Sequence, residues 1–234
     1  MVWILTTAPP SWPICGDDEA RRYDRRFFSH TTQPHVYAIE ESNRIEKPDV
    51  EYFCNSKPEL KDAMHTILTQ LYDAKEYGSI LTIPPQAGMP SMPGLTRWQT
   101  SPRSIERVFA KKLLPLVRVA QTLAQKYDVV VTNPPYMGSS GMGAKLAEYV
   151  KKNYPDSKSD LFAIFIEHGN QMVKPNGMNS MVTMQSWMFL SSFEKMRVNL
   201  LQTKNDYQLD AHGKHGHGYR IWHGCHRVPK WTPQ

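Results

Sequence analysis

Apolar positions along the 234-residue chain change their spacing several times, and each change marks an element. Residues 127–132, Tyr-Asp-Val-Val-Val-Thr, form a short apolar, β-branched run of the kind found in a buried central parallel strand. Helical spacing follows. Residues 144–153 predict one helix, and residues 159–173 a longer one, with Leu161, Ile164, Phe165 and Met172 recurring on one face. Pro175-Asn176-Gly177 predicts a turn, residues 178–183 a second strand, and residues 193–202 a helix carrying Met196 and Leu200 on one side. Strand, helix, strand, helix in this order predicts a doubly wound α/β fold.

Upstream the pattern is weaker. Residues 35–39 predict a strand, residues 59–77 a helix, and residues 79–83 a second strand ended by Pro84-Pro85. Residues 84–103 hold five prolines and two glycines and predict a loop. Ser101-Pro102 reads as an N-cap with proline in the first turn of a helix running to Lys126, broken or kinked at Pro115. Residues 138–143, with three glycines, predict a flexible loop. The chain therefore divides into an irregular start (1–21), a mixed region (22–126), a strongly patterned core (127–205) and an irregular tail (206–234).

Composition narrows the class. A chain that is 40% hydrophobic can build a core, and it contains no apolar run approaching the roughly 18 residues that span a bilayer, which argues against a membrane partner. Met1-Val-Trp-Ile-Leu5 lacks a basic region and an apolar stretch, so no secretory signal is predicted. Three scattered cysteines, Cys15, Cys54 and Cys225, do not form a disulfide framework, and a reducing, cytoplasmic setting is expected. The net charge of +6 says little about a phosphate partner. Residues 211–234 contribute Lys214, Arg220, Arg227 and Lys230 and no acid, leaving only a small excess on the body.

Candidate chemistry sits where the predicted strand 127–132 ends. Open α/β sheets bind ligands beyond the carboxyl ends of their strands, and there the chain reads Asn133-Pro134-Pro135-Tyr136. Two prolines remove two backbone donors and fix φ, which leaves a stiff backbone with carbonyls free to accept. The Asn133 amide oxygen and the Pro134 carbonyl can together take both hydrogens of an exocyclic amino group, while Tyr136 offers a ring face to a planar base. Such a clamp orients an amine as a nucleophile toward an electrophilic methyl. Phe162, Trp187 and Phe189 read as core residues, and Asp160 as a helix-terminal carboxylate.

At these residues the chain resembles the amino-methyltransferases that use S-adenosylmethionine. Three collinear blocks carry a closer likeness. They are Tyr127 to Gly138, Tyr154 to Glu167 and Gln185 to Glu194, and they resemble the adenine-specific DNA methyltransferases of BREX phage-defence systems, the PglX type. The resemblance implies a class I, Rossmann-like methyltransferase domain, present in part, with its first strands missing. It implies S-adenosyl-L-methionine as cofactor and double-stranded DNA with a flipped-out adenine as substrate, with other phage-defence subunits as further partners. It places Asn133, Pro134, Pro135 and Tyr136 around the target N6 amine, and Asp160 and Phe162 beside the cofactor adenine.

Two pieces that such an enzyme needs are not found. No glycine-rich turn for the cofactor and no acidic residue for its ribose precede residue 127, and few residues follow the last block to read DNA. Both ends are also out of character. The tail repeats His-Gly at residues 212, 215, 217 and 223, and back-translation in a shifted frame yields an apolar, strand-like sequence; the start, shifted likewise, yields an acidic strand-end motif. The expectation is a fragment of a larger gene whose frame slips near Asp210 and again before the patterned body, with edges and apolar faces left uncovered. Other readings of the same residues are methylation of cytosine N4 or of a glutamine side chain, an inactive methyltransferase fold serving as a DNA-binding or scaffold subunit, and metal binding by the His-rich tail. No metal site is expected in the body.

Overall fold

The computed structural model describes residues 3–6, 35–54, 58–85, 99–203, 207–212 and 218–223. It resolves into two units, residues 1–125 and 126–234.

In the first unit, β1 (Trp3–Thr6) pairs in parallel with β2 (His35–Ala38). Three helices follow, α1 (Lys47–Cys54), α2 (Pro58–Gln70) and the short α3 (Ala74–Tyr77), and then the long α4 (Ser104–Ala124). Helix α1 packs on α2 and α2 on α4, burying Val50, Phe53, Met64, Ile67, Leu113 and Val117. Lys112 on α4 pairs with the buried Asp49 of α1 at 3.0 Å.

Several expectations change here. The predicted helix 59–77 is split, because Asp73 adopts a left-handed backbone (φ 54°) and is held there by a reciprocal pair of hydrogen bonds with the Asn43 amide. Helix α1 was not anticipated, being only two turns long. No strand forms over 79–83. Gly78–Ile80 is a 3-10 turn and the extended residues after it bury Leu81 and Ile83 without a ladder. Helix α4 begins at Ser104 rather than Pro102 and runs unbroken through Pro115, which lies on its exposed side. Ser101 still serves the helix start: its hydroxyl accepts from the Arg103 amide and bonds the Glu106 carboxylate.

The second unit is a four-stranded sheet in the order β3-β4-β6-β5. Strand β3 (Tyr127–Thr132) pairs in parallel with β4 (Val173–Thr183), and the crossover between them carries α5 (Ala144–Asn153) and α6 (Leu161–Met172). Strand β4 is followed by α7 (Glu194–Thr203) and then β5 (Tyr207–His212) and β6 (Gly218–His223). Strand β6 runs antiparallel to both β4 and β5. This is the α/β alternation the apolar pattern predicts, realised in part. Strand β3 is not central: among the described residues it has one neighbour and forms an edge, so Val129 and Val131 are 52% and 72% exposed.

Pro175-Asn176-Gly177 is a bulge inside β4 rather than a turn ahead of it. Tyr127 pairs with Val173 but Val129 pairs with Met178, so the intervening residues loop out with Asn176 at φ 67°. Gly177 fits because a Cβ there would lie 2.9 to 3.0 Å from the carbonyl oxygens of Tyr127, Asp128 and Lys174.

The core of this unit lies between α6, the end of β4 and α7, where Phe162, Ile166, Met181, Trp187, Phe193 and Met196 are all buried. Of the start and tail, β1, β5 and β6 are described, whereas Cys15, Cys225, His215, His217 and His226 lie outside the described residues. No described helix is long and apolar enough to cross a membrane, and no group of potential metal ligands forms among the described residues.

Candidate amine-binding site

The site is built from the turn after β3. Asn133 to Met137 leave the strand with Pro134 buried and Asn133, Pro135 and Tyr136 exposed. With no amide hydrogen at 134 or 135, this stretch cannot continue the ladder. It crosses instead toward β4, where the Tyr136 hydroxyl lies 3.0 Å from the Val182 carbonyl and 3.4 Å from Asn133 Oδ1. A phenol has one proton, and the shorter contact takes it. Asn133 Oδ1 therefore keeps its capacity to accept from a ligand. Partial desolvation raises the Tyr136 pKa above its ordinary value.

The Tyr136 ring stands edge-on to Phe162, with centroids 6.1 Å apart and planes at 65°, and Phe162 in turn contacts Phe193 at 5.8 Å. Phe162 is 1% exposed. It is the floor on which Tyr136 rests.

Asp160 is the N-cap of α6. Its Oδ1 accepts from the Phe162 amide at 3.3 Å and also from the Met137 amide at 3.2 Å. The neighbouring backbone completes the junction: the Leu161 amide donates to the Met137 carbonyl at 3.0 Å and the Ser139 amide to the Ser159 carbonyl at 3.0 Å. Gly138 and Asp160 form a bridge, so residues 138–143, predicted to be flexible, are pinned at one end and contain a 3-10 turn (Ser139–Gly141). Asp160 is partly exposed, and its Oδ2 accepts no hydrogen bond among the described residues.

All six candidate residues thus fall in one neighbourhood. Asn133, Pro134, Pro135 and Tyr136 share one turn, and Asp160 and Phe162 brace it from α6. Sequence reasoning missed the groups that hold them, since the Val182 carbonyl and the Met137 amide are backbone atoms with no residue-type signature. It also missed Arg197, whose guanidinium donates to the Trp187 and Leu190 carbonyls at 2.7 and 2.6 Å and fixes the segment after β4. Trp187 is buried as expected. Phe189, expected in the core, is 74% exposed between those two anchored carbonyls.

Relatives match much of the chain. The chain is 44% identical over 149 residues to the adenine-specific methyltransferase BrxX of Escherichia coli O9:H4 (strain HS), a match covering 62% of this chain and 12% of that protein. It is 34% identical over 188 residues to the adenine-specific methyltransferase PglX of Lacticaseibacillus casei (strain Zhang), covering 77% of this chain and 15% of that one. The chain therefore spans about one-seventh or less of the length of these relatives. Among solved structures, a putative class I S-adenosylmethionine-dependent methyltransferase from Listeria monocytogenes superposes with a TM-score of 0.34 at 15% identity, over 55% of this chain and 45% of that one. Residues 59–214, which include the whole Asn133–Tyr136 turn and both bracing residues, match the Eco57I restriction-modification methylases, and the chain belongs to that family.

Proposed function

We propose that this chain carries the target-amine clamp of an S-adenosylmethionine-dependent DNA adenine N6-methyltransferase of the phage-defence or restriction-modification type. The observation that carries the reading is the Asn133-Pro134-Pro135-Tyr136 turn at the carboxyl end of β3, with Asn133 Oδ1 open and Tyr136 anchored on β4. The family supports methylation, and the likeness to two adenine-specific methyltransferases supports adenine as the base.

In this reading Asn133 Oδ1 and the Pro134 carbonyl accept the two N6 hydrogens, drawing the nitrogen out of conjugation and directing its lone pair. Tyr136 stacks on the flipped base, held in place by Val182 and Phe162. Bound cofactor would give up its methyl with cleavage of its sulfur–carbon bond, and the clamped nitrogen that takes it would shed a proton to water, to which Asn133 is open. S-adenosylmethionine supplies the electrophilic methyl group. The residues present fit one end of that cofactor: Asp160 retains an uncommitted carboxylate oxygen beside the clamp, and Phe162 backs the same junction. Other subunits of a defence system, and a cytoplasmic setting, belong to the same proposal.

The test exchanges this stretch for its counterpart in the BrxX relative and analyses the DNA of a methylation-free host by nucleoside mass spectrometry. N6-methyladenine is expected, with a loss of at least about 100-fold on Asn133→Ala. N4-methylcytosine in its place would overturn the adenine assignment. The isolated chain is expected to bind the cofactor weakly or not at all, and micromolar binding by calorimetry would overturn that expectation.

A further inference from the structure

We propose that Asp160 is a positioning residue that sets the amine clamp, in addition to capping α6; the proposal rests on the clamp reading of Asn133 to Tyr136. An N-cap carboxylate needs only a donor from the first turn of its own helix, and the Phe162 amide provides it. The second donor is what capping does not explain. It is the Met137 amide, 23 residues earlier, on the residue immediately after Tyr136.

Tyr136 is consequently held from three directions. Its hydroxyl is tied to the Val182 carbonyl, its ring leans on Phe162, and the peptide unit that follows it is tied to the Asp160 carboxylate. The reciprocal bond from the Leu161 amide to the Met137 carbonyl makes the tie two-sided, so the clamp loop and the first turn of α6 share one hydrogen-bonded junction. Without the carboxylate, the Met137 amide loses its partner, and the turn after Pro135 is left with one tie fewer, held by the Tyr136 hydroxyl and the Leu161 amide alone on either side of that peptide. The two prolines stiffen the turn from inside but donate nothing with which to fix it to the fold. Asp160 supplies that external fixation, and displacing a clamp by a fraction of an ångström is costly to a reaction that depends on orientation.

The role is one of hydrogen-bond acceptance at a given reach, and this separates it from simpler ones. Asp160→Asn keeps an acceptor oxygen at the same reach. Asp160→Ser keeps an acceptor that caps Phe162 but is too short to meet Met137 as well.

Amide hydrogen exchange by NMR on the chain and these two variants tests it, alongside capture of deoxyadenosine followed by saturation transfer. In wild type both the Met137 and the Phe162 amides should be protected. Asp160→Asn should retain both, with deoxyadenosine capture within about threefold of wild type. Asp160→Ser should keep Phe162 protected, lose protection at Met137, and weaken capture by about tenfold. The proposal is overturned if Met137 exchanges equally in wild type and Asp160→Ser, if Asp160→Asn behaves like Asp160→Ser, or if capture is unchanged when Met137 protection is lost. Asn133→Ala is the separate control, expected to abolish capture with Met137 still protected. Failure of wild type to capture deoxyadenosine counts against the clamp reading of Asn133, and the Met137 exchange pattern then decides the role of Asp160 on its own.

Discussion

The Tyr136 hydroxyl donates to the Val182 carbonyl at 3.0 Å, joining the turn after one parallel strand to the end of its neighbour. The bond fixes the distance between the two strand ends at the point where a ligand would sit. Removing the hydroxyl alone with Tyr136→Phe should cost about 1 kcal/mol by urea denaturation, because the carbonyl is left to water and the ring contact survives. Tyr136→Ala, which also removes the ring from Phe162, should cost more and should lower methylation in the BrxX exchange protein at least tenfold beyond the Phe variant. Equal effects of the two substitutions would show that the ring contributes nothing.

Phe162 is the buried floor of the site, and its truncation should be felt throughout the second unit. Phe162→Ala removes a ring that is 1% exposed and touches both Tyr136 and Phe193, so a loss of roughly 3–5 kcal/mol is expected, enough to unfold a marginal unit. Phe162→Leu should cost less and keep the near-ultraviolet circular dichroism of the wild type.

Gly177→Ala tests the bulge in β4. The new methyl would meet three backbone carbonyl oxygens at 2.9 to 3.0 Å, none of which can turn away as a side chain would. A destabilisation of about 1–3 kcal/mol is expected, read as a lowered thermal midpoint. An unchanged midpoint would mean that the bulge relaxes freely.

Glu167 supplies a pH dependence. Burial is the main cause that raises its carboxyl above the ordinary 4.5, a neighbouring Asp156 adds to the rise, and a hydrogen bond from Ser157 at 2.6 Å partly offsets it. Because the folded value is the higher one, its contribution is fully present below the ordinary value and is lost as pH rises through the folded value. Glu167→Gln, which keeps an acceptor for Ser157, should therefore stabilise the chain at pH 7 and leave it unchanged at pH 4. A variant that is less stable at neutral pH would reverse the assigned sign.

What the sequence disclosed and what it withheld follow from the range of the interactions involved. Helices α6 and α7 declare themselves by apolar period, since each buries one regular face, Phe162 with Ile166 and Met196 with Leu200, whereas β3 shows by its β-branched run and not by burial. The Asn133–Tyr136 turn stands out in the sequence because two adjacent prolines close a β-branched run, and it lies at the end of β3. Asp73 and Asn43, in contrast, split a helix by a bond across 30 residues, and Ile80, Leu81 and Ile83 bury themselves without a strand, so local pattern misjudged both. Val129 and Val131 read as buried because their composition fits a central strand, and only the sheet order reveals the edge. The braces of the site, Val182 and Met137, act through backbone atoms separated from their partners by 46 and 23 residues, where no residue type could announce them.

The prolines of the turn have one more consequence. An edge strand with β-branched residues on show is a template on which a stray extended chain can add, and β3 presents such an edge over Tyr127–Thr132. Growth along it is cut short where Pro134 and Pro135 offer no amide to an incoming strand. The tetrapeptide at the end of β3 should thus also limit growth along that edge. It limits the exposed edge to six residues among the described ones, and replacing either proline by alanine should hasten concentration-dependent fibril or precipitate formation.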